Sequence, residues 1–314
     1  MFKQTILFAV LFTASPLAAK PGSLLIVGGG LDVQKNTVLM EMLAHMPDRS
    51  GSIAIIPSAS GEASGAAKDL KEALAKVGVD GRRVSTVHIA MVDDEDTQGI
   101  NEADWAGNAA DASEIAKIEA ADAIWFTGGD QLRTIRLLVA ADGSDTPMLA
   151  AVRRRLAAGA VIAGTSAGAA IMGSGMIVCG TPDIAATGKV SRNPADCDVP
   201  GDLPVPLVMG QGLGFLKGTV VDQHFSQRNR WVRLLRAATC IGGDVRQGFG
   251  IDEDTALLAD LGTGDARVIG AGGVAHVVRG KAGDCDPFAF TGQSLSYRRA
   301  GDRFRIKLRR GDSK

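Results

Sequence analysis

Short apolar runs rich in β-branched residues alternate, through the first two thirds of this chain, with stretches whose apolar positions recur every three or four residues. Runs at 24–27, 53–57, 83–89, 123–127 and 161–164 have the length and composition of buried strands. Between them, 36–44, 62–77, 112–120, 131–139 and 146–158 carry helical spacing. Strand and helix in repetition predict an α/β fold: a mainly parallel sheet with helices on both faces, with sites at the carboxyl ends of the strands. After Met172 the rhythm changes. Residues 181–206 are rich in Pro, Asp and Gly and predict a long surface loop. A strand at 219–222, a helix at 230–239 and short β segments at 248–252, 256–259, 267–269 and 274–278, with two more near the end, predict a β-rich C-terminal part.

The chain begins differently. Lys3 precedes an unbroken apolar run at 6–12, and Leu17-Ala18-Ala19 offers small residues for cleavage. Pro16 and Pro21 argue against a buried N-terminal helix. Residues 1–19 therefore read as a secretory signal and 20–314 as a single α/β domain, exported to the periplasm or secreted. No later apolar run reaches the ~20 residues that span a bilayer, so no membrane partner is expected after cleavage. Of the 314 residues, 46% are hydrophobic and 22% charged, enough to bury a continuous core. Aromatics are only 4% and the formal net charge is -1, which leaves neither stacking platforms nor a field for nucleic acid. Cys179, Cys197, Cys240 and Cys285 include no Cys-x-x-Cys pair, which argues against zinc. In an oxidising compartment they allow ~3 pairings, of which Cys179 with Cys197 would staple the predicted loop. Four buried thiols are the plainer reading. The oligomeric state is open, and a homodimer is compatible with the sequence.

Gly164-Thr165-Ser166-Ala167-Gly168 follows an apolar strand and opens an Ala-rich helix, the strand-turn-helix context of a nucleophile elbow. Such a turn lifts the Ser166 hydroxyl clear of the sheet, and the Ala167 N–H faces the developing anion. A hydroxyl needs a base to remove its proton. Four histidines are available. His45 ends a helix, His88 lies in an early strand, and His276 sits inside the apolar strand 274–278. His224, in Asp222-Gln223-His224-Phe225, leaves a strand end among polar neighbours, so it is the candidate base. Gly250-Ile251-Asp252-Glu253-Asp254-Thr255 offers three acids directly after a strand to orient the imidazole, and the residues alone leave the choice open. A second turn, Thr127-Gly128-Gly129-Asp130-Gln131, ends a strand and opens a helix; its N–H groups can complete an oxyanion hole and Gln131 can hold substrate, or it is simply a helix start. Gly28-Gly29-Gly30 lacks the spacing of a nucleotide loop and predicts a backbone turn near the site. Arg230, Arg233 and Arg236 recur every three residues, as on a solvated helix face, yet Arg228 and Arg230 lie close enough to His224 to suit an acidic substrate group.

Taken together, 127–131, 164–169, 222–225 with the trailing arginines, and 250–255 resemble, in order, the motifs of cyanophycinase and its serine-peptidase family. The resemblance implies a class I glutamine amidotransferase-like fold and a serine peptidase needing no metal or cofactor. By motif, Ser166 would be the nucleophile, His224 the general base and acid, and Glu253 the orienting carboxylate, with oxyanion donors at Ala167 and Gly129. Gln131, Asp222, Gln223, Arg228, Arg230 and Arg233 would shape a pocket for an aspartyl residue. The implied substrate is cyanophycin, a poly-aspartate backbone bearing arginine on each β-carboxyl, cleaved through an acyl-enzyme to β-aspartyl-arginine. Relatives hydrolyse α-aspartyl dipeptides instead. The same elbow would also suit an esterase using Ser166, Glu253 and His276, and the same fold would suit an exported binding protein without turnover.

Overall fold

Five strands realise the apolar runs of the first two thirds: β1 (Ser23–Val27), β2 (Ser52–Ile56), β3 (Val84–Thr86), β4 (Ala121–Phe126) and β5 (Val161–Thr165). The computed structural model describes residues 20–32, 37–198, 205–280, 285 and 293–308; the predicted signal at 1–19 and residues 199–204 of the predicted loop lie outside these. Helices α1 (Thr37–His45), α2 (Ala63–Lys76), α3 (Ala112–Glu119), α4 (Gln131–Leu138) and α5 (Pro147–Ala157) alternate with the strands. Local chemistry starts three of them. The side chains of Asp111, Asp130 and Thr146 accept from the first free N–H groups of α3, α4 and α5, and Pro147 opens α5 where its missing N–H costs nothing.

β5 is followed by a four-residue helix, α6 (Ala167–Ala170), and by β6 (Gly173–Cys179), α7 (Pro182–Thr187), β7 (Val190–Ser191), β8 (Leu207–Gln211), β9 (Leu216–Asp222), α8 (Trp231–Cys240) and β10 (Gln247–Ile251). β11 (Thr255–Asp260), β12 (Asp265–Gly270), β13 (Gly273–Val278), β14 (Ser294–Arg299) and β15 (Arg303–Arg305) complete the described chain. Two sheets result. The first runs β15-β12-β11-β1-β5-β4-β2-β3, parallel from β1 to β3 and antiparallel beyond β1; the second runs β14-β13-β10-β9-β6-β8-β7. The α/β class matches the pattern, and β9, β10 and β13 coincide with predicted β segments, but β6 and β8 and the gathering of these strands into a separate sheet were not foreseen, because glycines interrupt β6 and β8. At Gly175 a Cβ would stand 2.1 Å from Ile241 Cδ1, so close packing after α8 excludes a side chain there. The predicted loop is also more regular than expected, since it holds α7, started by Pro182, and β7, which pairs with β8.

Successive side chains of the first sheet enter opposite cores, which is why its strands read as continuous apolar runs. Leu25 and Val27 meet α1 and α2 through Leu39, Met42, Leu70 and Leu74. Leu24 and Ile26 face the other way, into a core shared by Leu138 and Val152 and by Met176, Val221 and Phe249 of the second sheet. The far face of that sheet is covered by Leu234, Ala237 and Ala238 of α8. Both cysteine pairs are disulfides, Cys179–Cys197 and Cys240–Cys285. Among the described residues no helix is long and apolar enough to cross a membrane.

Candidate active site

The carboxyl ends of β1, β4 and β5 in the first sheet meet those of β9 and β10 in the second, and Ser166 stands at this junction. Its φ of 54° and ψ of -113° place it in a sparsely populated backbone region, held between β5 and α6. The turn closes only because its glycines lack side chains: a Cβ on Gly164 would lie 2.3 Å from the Gly168 carbonyl oxygen, and one on Gly168 would lie 2.5 Å from that of Phe126. Ser166 Oγ is 2.8 Å from His224 Nε2, and His224 Nδ1 is 2.6 Å from Glu253 Oε1. His224 is also left-handed, with φ 47°.

One short segment ties these three places together. The carbonyls of Val27, Gly28 and Gly29 accept in turn from the N–H groups of Ser166 at 3.1 Å, His224 at 2.7 Å and Asp254 at 2.9 Å. A Cβ at Gly29 would sit 2.2 Å from His224 Cε1, so the imidazole lies flat against bare backbone. The predicted glycine turn is thus the floor beneath the serine, histidine and glutamate.

Burial pushes the His224 imidazole below its usual value; the hydrogen bond to Glu253 opposes this, and the charge of Arg228 reinforces it. The neutral ring, able to accept a proton, is favoured at neutral pH. Of the three neighbouring acids, Asp252 is already engaged: Oδ1 accepts from Ser226 N at 3.0 Å and Oγ at 2.6 Å, while Oδ2 accepts from Gly273 N at 3.0 Å and from the Tyr297 hydroxyl. Asp254 Oδ1 accepts from Asp32 N at 3.0 Å. Glu253, its own N–H donating to Gln227 Oε1, is the acid that reaches the imidazole. The other histidines lie elsewhere. His276 contacts Gln247 Oε1 at 3.2 Å and stacks on Phe249, His88 stacks on Trp105, and His45 Nδ1 lies 2.8 Å from the Glu41 carbonyl. The esterase set of Ser166, Glu253 and His276 is not assembled.

A cleft of about 370 Å³ opens beside Ser166, walled by Gly129, Gln131, Gln223, Arg228, Arg230 and Arg233 and by the Cys179–Cys197 disulfide. Gln131 donates from Nε2 to the carbonyls of Ile177 and Val178, which fixes its amide to the end of β6. Asp222 stands behind the wall rather than in it. It receives Arg233 Nε at 2.9 Å and Arg230 Nη1 at 3.4 Å, and Arg230 also donates to Gln223 Oε1 at 2.7 Å. Burial pulls Arg230 down to about 10, which leaves it a cation at neutral pH. Three guanidiniums against one buried carboxylate give the cleft a positive character. The arginine stripe is not the solvated face expected of its spacing: Arg233 and Arg236 are buried, donating to the carbonyls of Gly180 and Gly188. Among the described residues no group of acids, histidines and cysteines is arranged to hold a metal.

The profile of Peptidase family S51 matches residues 24–265. This chain belongs to peptidase family S51. A cyanophycinase of Geminocystis herdmanii is 32% identical over 295 residues, covering 91% of this chain and 94% of that one. A cyanophycinase of Trichormus variabilis is 34% identical over 203 residues, covering 62% of this chain and 60% of its own. Among solved structures, a peptidase from an acI-B1 actinobacterium shares the fold, with a TM-score of 0.58 at 18% identity over 92% of this chain and 98% of that one. The S51 chain is accordingly a serine-type peptidase.

Several site residues of this S51 peptidase carried no distinguishing sequence signal. Gln227, which holds the Glu253 N–H, looks like any polar loop residue. Val178 and Gly180 line the cleft from the end of β6 and just beyond it, and Thr181 and Val205 from a stretch without periodicity; only the Cys179 and Cys197 spacing hinted that it is tied in place.

Proposed function

We propose that this S51 peptidase is an exported exopeptidase that hydrolyses aspartyl peptide bonds, with cyanophycin as substrate and β-aspartyl-arginine as product. The reading is carried by the hydrogen-bonded chain from Ser166 Oγ through His224 to Glu253, at 2.8 and 2.6 Å. Ser166 attacks the aspartyl carbonyl as its proton passes to His224 Nε2, and Glu253 holds Nδ1–H and stabilises the imidazolium. Backbone N–H groups of Ala167, at the start of α6, and Gly129, in the facing turn, receive the oxyanion. His224 then protonates the leaving amine, and water, deprotonated by the same ring, releases the acyl group from Ser166.

The cleft supports an acidic substrate. Arg228, Arg230 and Arg233, with the Gln223 amide, present donors to an aspartyl carboxylate, while Gln131 shapes the wall with its own N–H groups committed to β6 and Asp222 holds two of the guanidiniums in place from behind. The names of the curated relatives favour the polymer over short peptides. Export follows from the signal-like residues 1–19, leaving 20–314 as one catalytic domain, and pairing of all four cysteines suits an oxidising compartment.

The test offers purified protein cyanophycin, α-aspartyl dipeptides and β-aspartyl dipeptides in parallel, with products identified by mass. Release of β-aspartyl-arginine from the polymer, absent in Ser166→Ala, is expected. Hydrolysis of the α-linked dipeptides alone would make the enzyme a dipeptidase instead.

A further inference from the structure

We infer that Tyr297, acting through Asp252, is a positioning residue for His224, so that the C-terminal hairpin of β13 and β14 belongs to the machinery of this active site. The inference rests on the Ser166-His224-Glu253 reading above. Tyr297 lies in β14, opposite Ala275 of β13 and beyond residue 265, where the match to the S51 profile ends.

Two independent links run from it to the residues directly after the histidine. The first is polar. The Tyr297 hydroxyl donates to Asp252 Oδ2, and Asp252 Oδ1 accepts from both Ser226 N and Ser226 Oγ at 3.0 and 2.6 Å. With Gly273 N also donating, both oxygens of the carboxylate are engaged, and Ser226 is gripped two residues past a histidine whose φ of 47° needs holding. The second link is aromatic. Tyr297 lies 5.6 Å from Trp231 between ring centroids, and Trp231 meets Phe225 edge-on at 4.6 Å. Phe225 is itself pressed against Gly250, where a Cβ would come within 2.3 Å of its ring. Asp252 also immediately precedes Glu253, so the same carboxylate anchors the strand end that carries the acid. Tyr297 as a whole is 43% exposed while its hydroxyl donates inward to Asp252, so removing the oxygen alone leaves the ring contacts in place.

The chain contains one tyrosine, which makes this contact spectroscopically readable. Burial first, and then the hydrogen bond and charge of Asp252, push its phenol up to about 12. The experiment combines Tyr297→Phe, Ser226→Ala and the double variant with Ser166→Ala as the inactive control. Tyr297→Phe is expected to lower kcat about tenfold, with KM within about twofold of the parent and the unfolding midpoint shifted by only a few degrees. Ser226→Ala should lower kcat similarly, and the double variant should lose less than the product of the two losses, because both act through one carboxylate. In the parent, ultraviolet titration should find the phenol well above its usual value of about 10. A kcat for Tyr297→Phe within about twofold of the parent, while Ser166→Ala is inactive, would overturn the inference and leave the triad reading intact. Ser166→Ala retaining parental turnover would overturn both.

Discussion

The end of β9 and the middle of β13 each bury a histidine, and in both places burial disfavours the charged ring. Only the company differs. His224 sits in a left-handed turn between a hydroxyl and a carboxylate, with Arg228 nearby. His276 lies within a strand, stacked on Phe249 at 4.5 Å and contacting Gln247. Desolvation therefore does not make a base by itself. On the proposed reading, the strand end supplies the rest by placing one ring nitrogen against the Ser166 hydroxyl while Glu253 holds the other.

Replacing the rings one at a time gives the widest separation. His224→Ala should cut kcat by about 10⁴ to 10⁶, as loss of a base from a serine triad does, whereas His276→Phe should leave kcat within about twofold; steady-state assays of both on one substrate decide it. The comparison breaks if the second variant is the inactive one. Glu253→Gln should come next, with a kcat loss of about 10² to 10⁴ and little change in KM, because an amide can no longer fix the productive tautomer. Arg228→Ala should raise KM about 10- to 100-fold with kcat largely kept, consistent with loss of one charge-assisted hydrogen bond to an acidic substrate.

Two smaller effects follow from acidity. Because the His224 value is lowered, its neutral form persists to lower pH, and the acid limb of kcat/KM should have its midpoint below the ordinary histidine value of about 6.5. Burial, reinforced by Arg298, pulls His276 down to about 4. Between that value and about 6.5 the unfolded chain holds more protons than the folded one, so stability is lost as pH falls through this window, by about 3 kcal/mol in all. Urea midpoints measured near about pH 7 and about pH 5 should differ less in His276→Phe than in the parent.

The regions also differ in how far the amino-acid sequence disclosed them. The centre of the first sheet was legible because β1, β2, β4 and β5 are buried on both faces and read as plain apolar runs, and because Asp111, Asp130 and Thr146 mark helix starts. The second was legible only in part. Gly173, Gly175 and Gly210 serve close packing at the expense of pattern, and no local rule announces that β6 and β8 will flank β9. At the site, the elbow and the Asp222 to Phe225 motif were visible because tight turns demand particular residues. Which of Asp252, Glu253 and Asp254 meets the imidazole was indicated only by the family resemblance and by no local rule, since it depends on Ser226, Gly273 and Tyr297 arriving from distant segments. The burial of Arg233 and Arg236 was hidden for the same reason: spacing of three describes a helix face without saying what will cover it.

The Cys179–Cys197 bond closes an 18-residue span and at the same time forms part of the wall next to Ser166. Closing a loop of that length stabilises the fold by about 3 kcal/mol through the unfolded chain, and here the tether also lines the cleft beside Ser166. Recombinant material made in a reducing host cytosol would lack this bond in the cleft wall. Thiol counting before any kinetic comparison, and expression through an oxidising route, follow directly from where that bond sits.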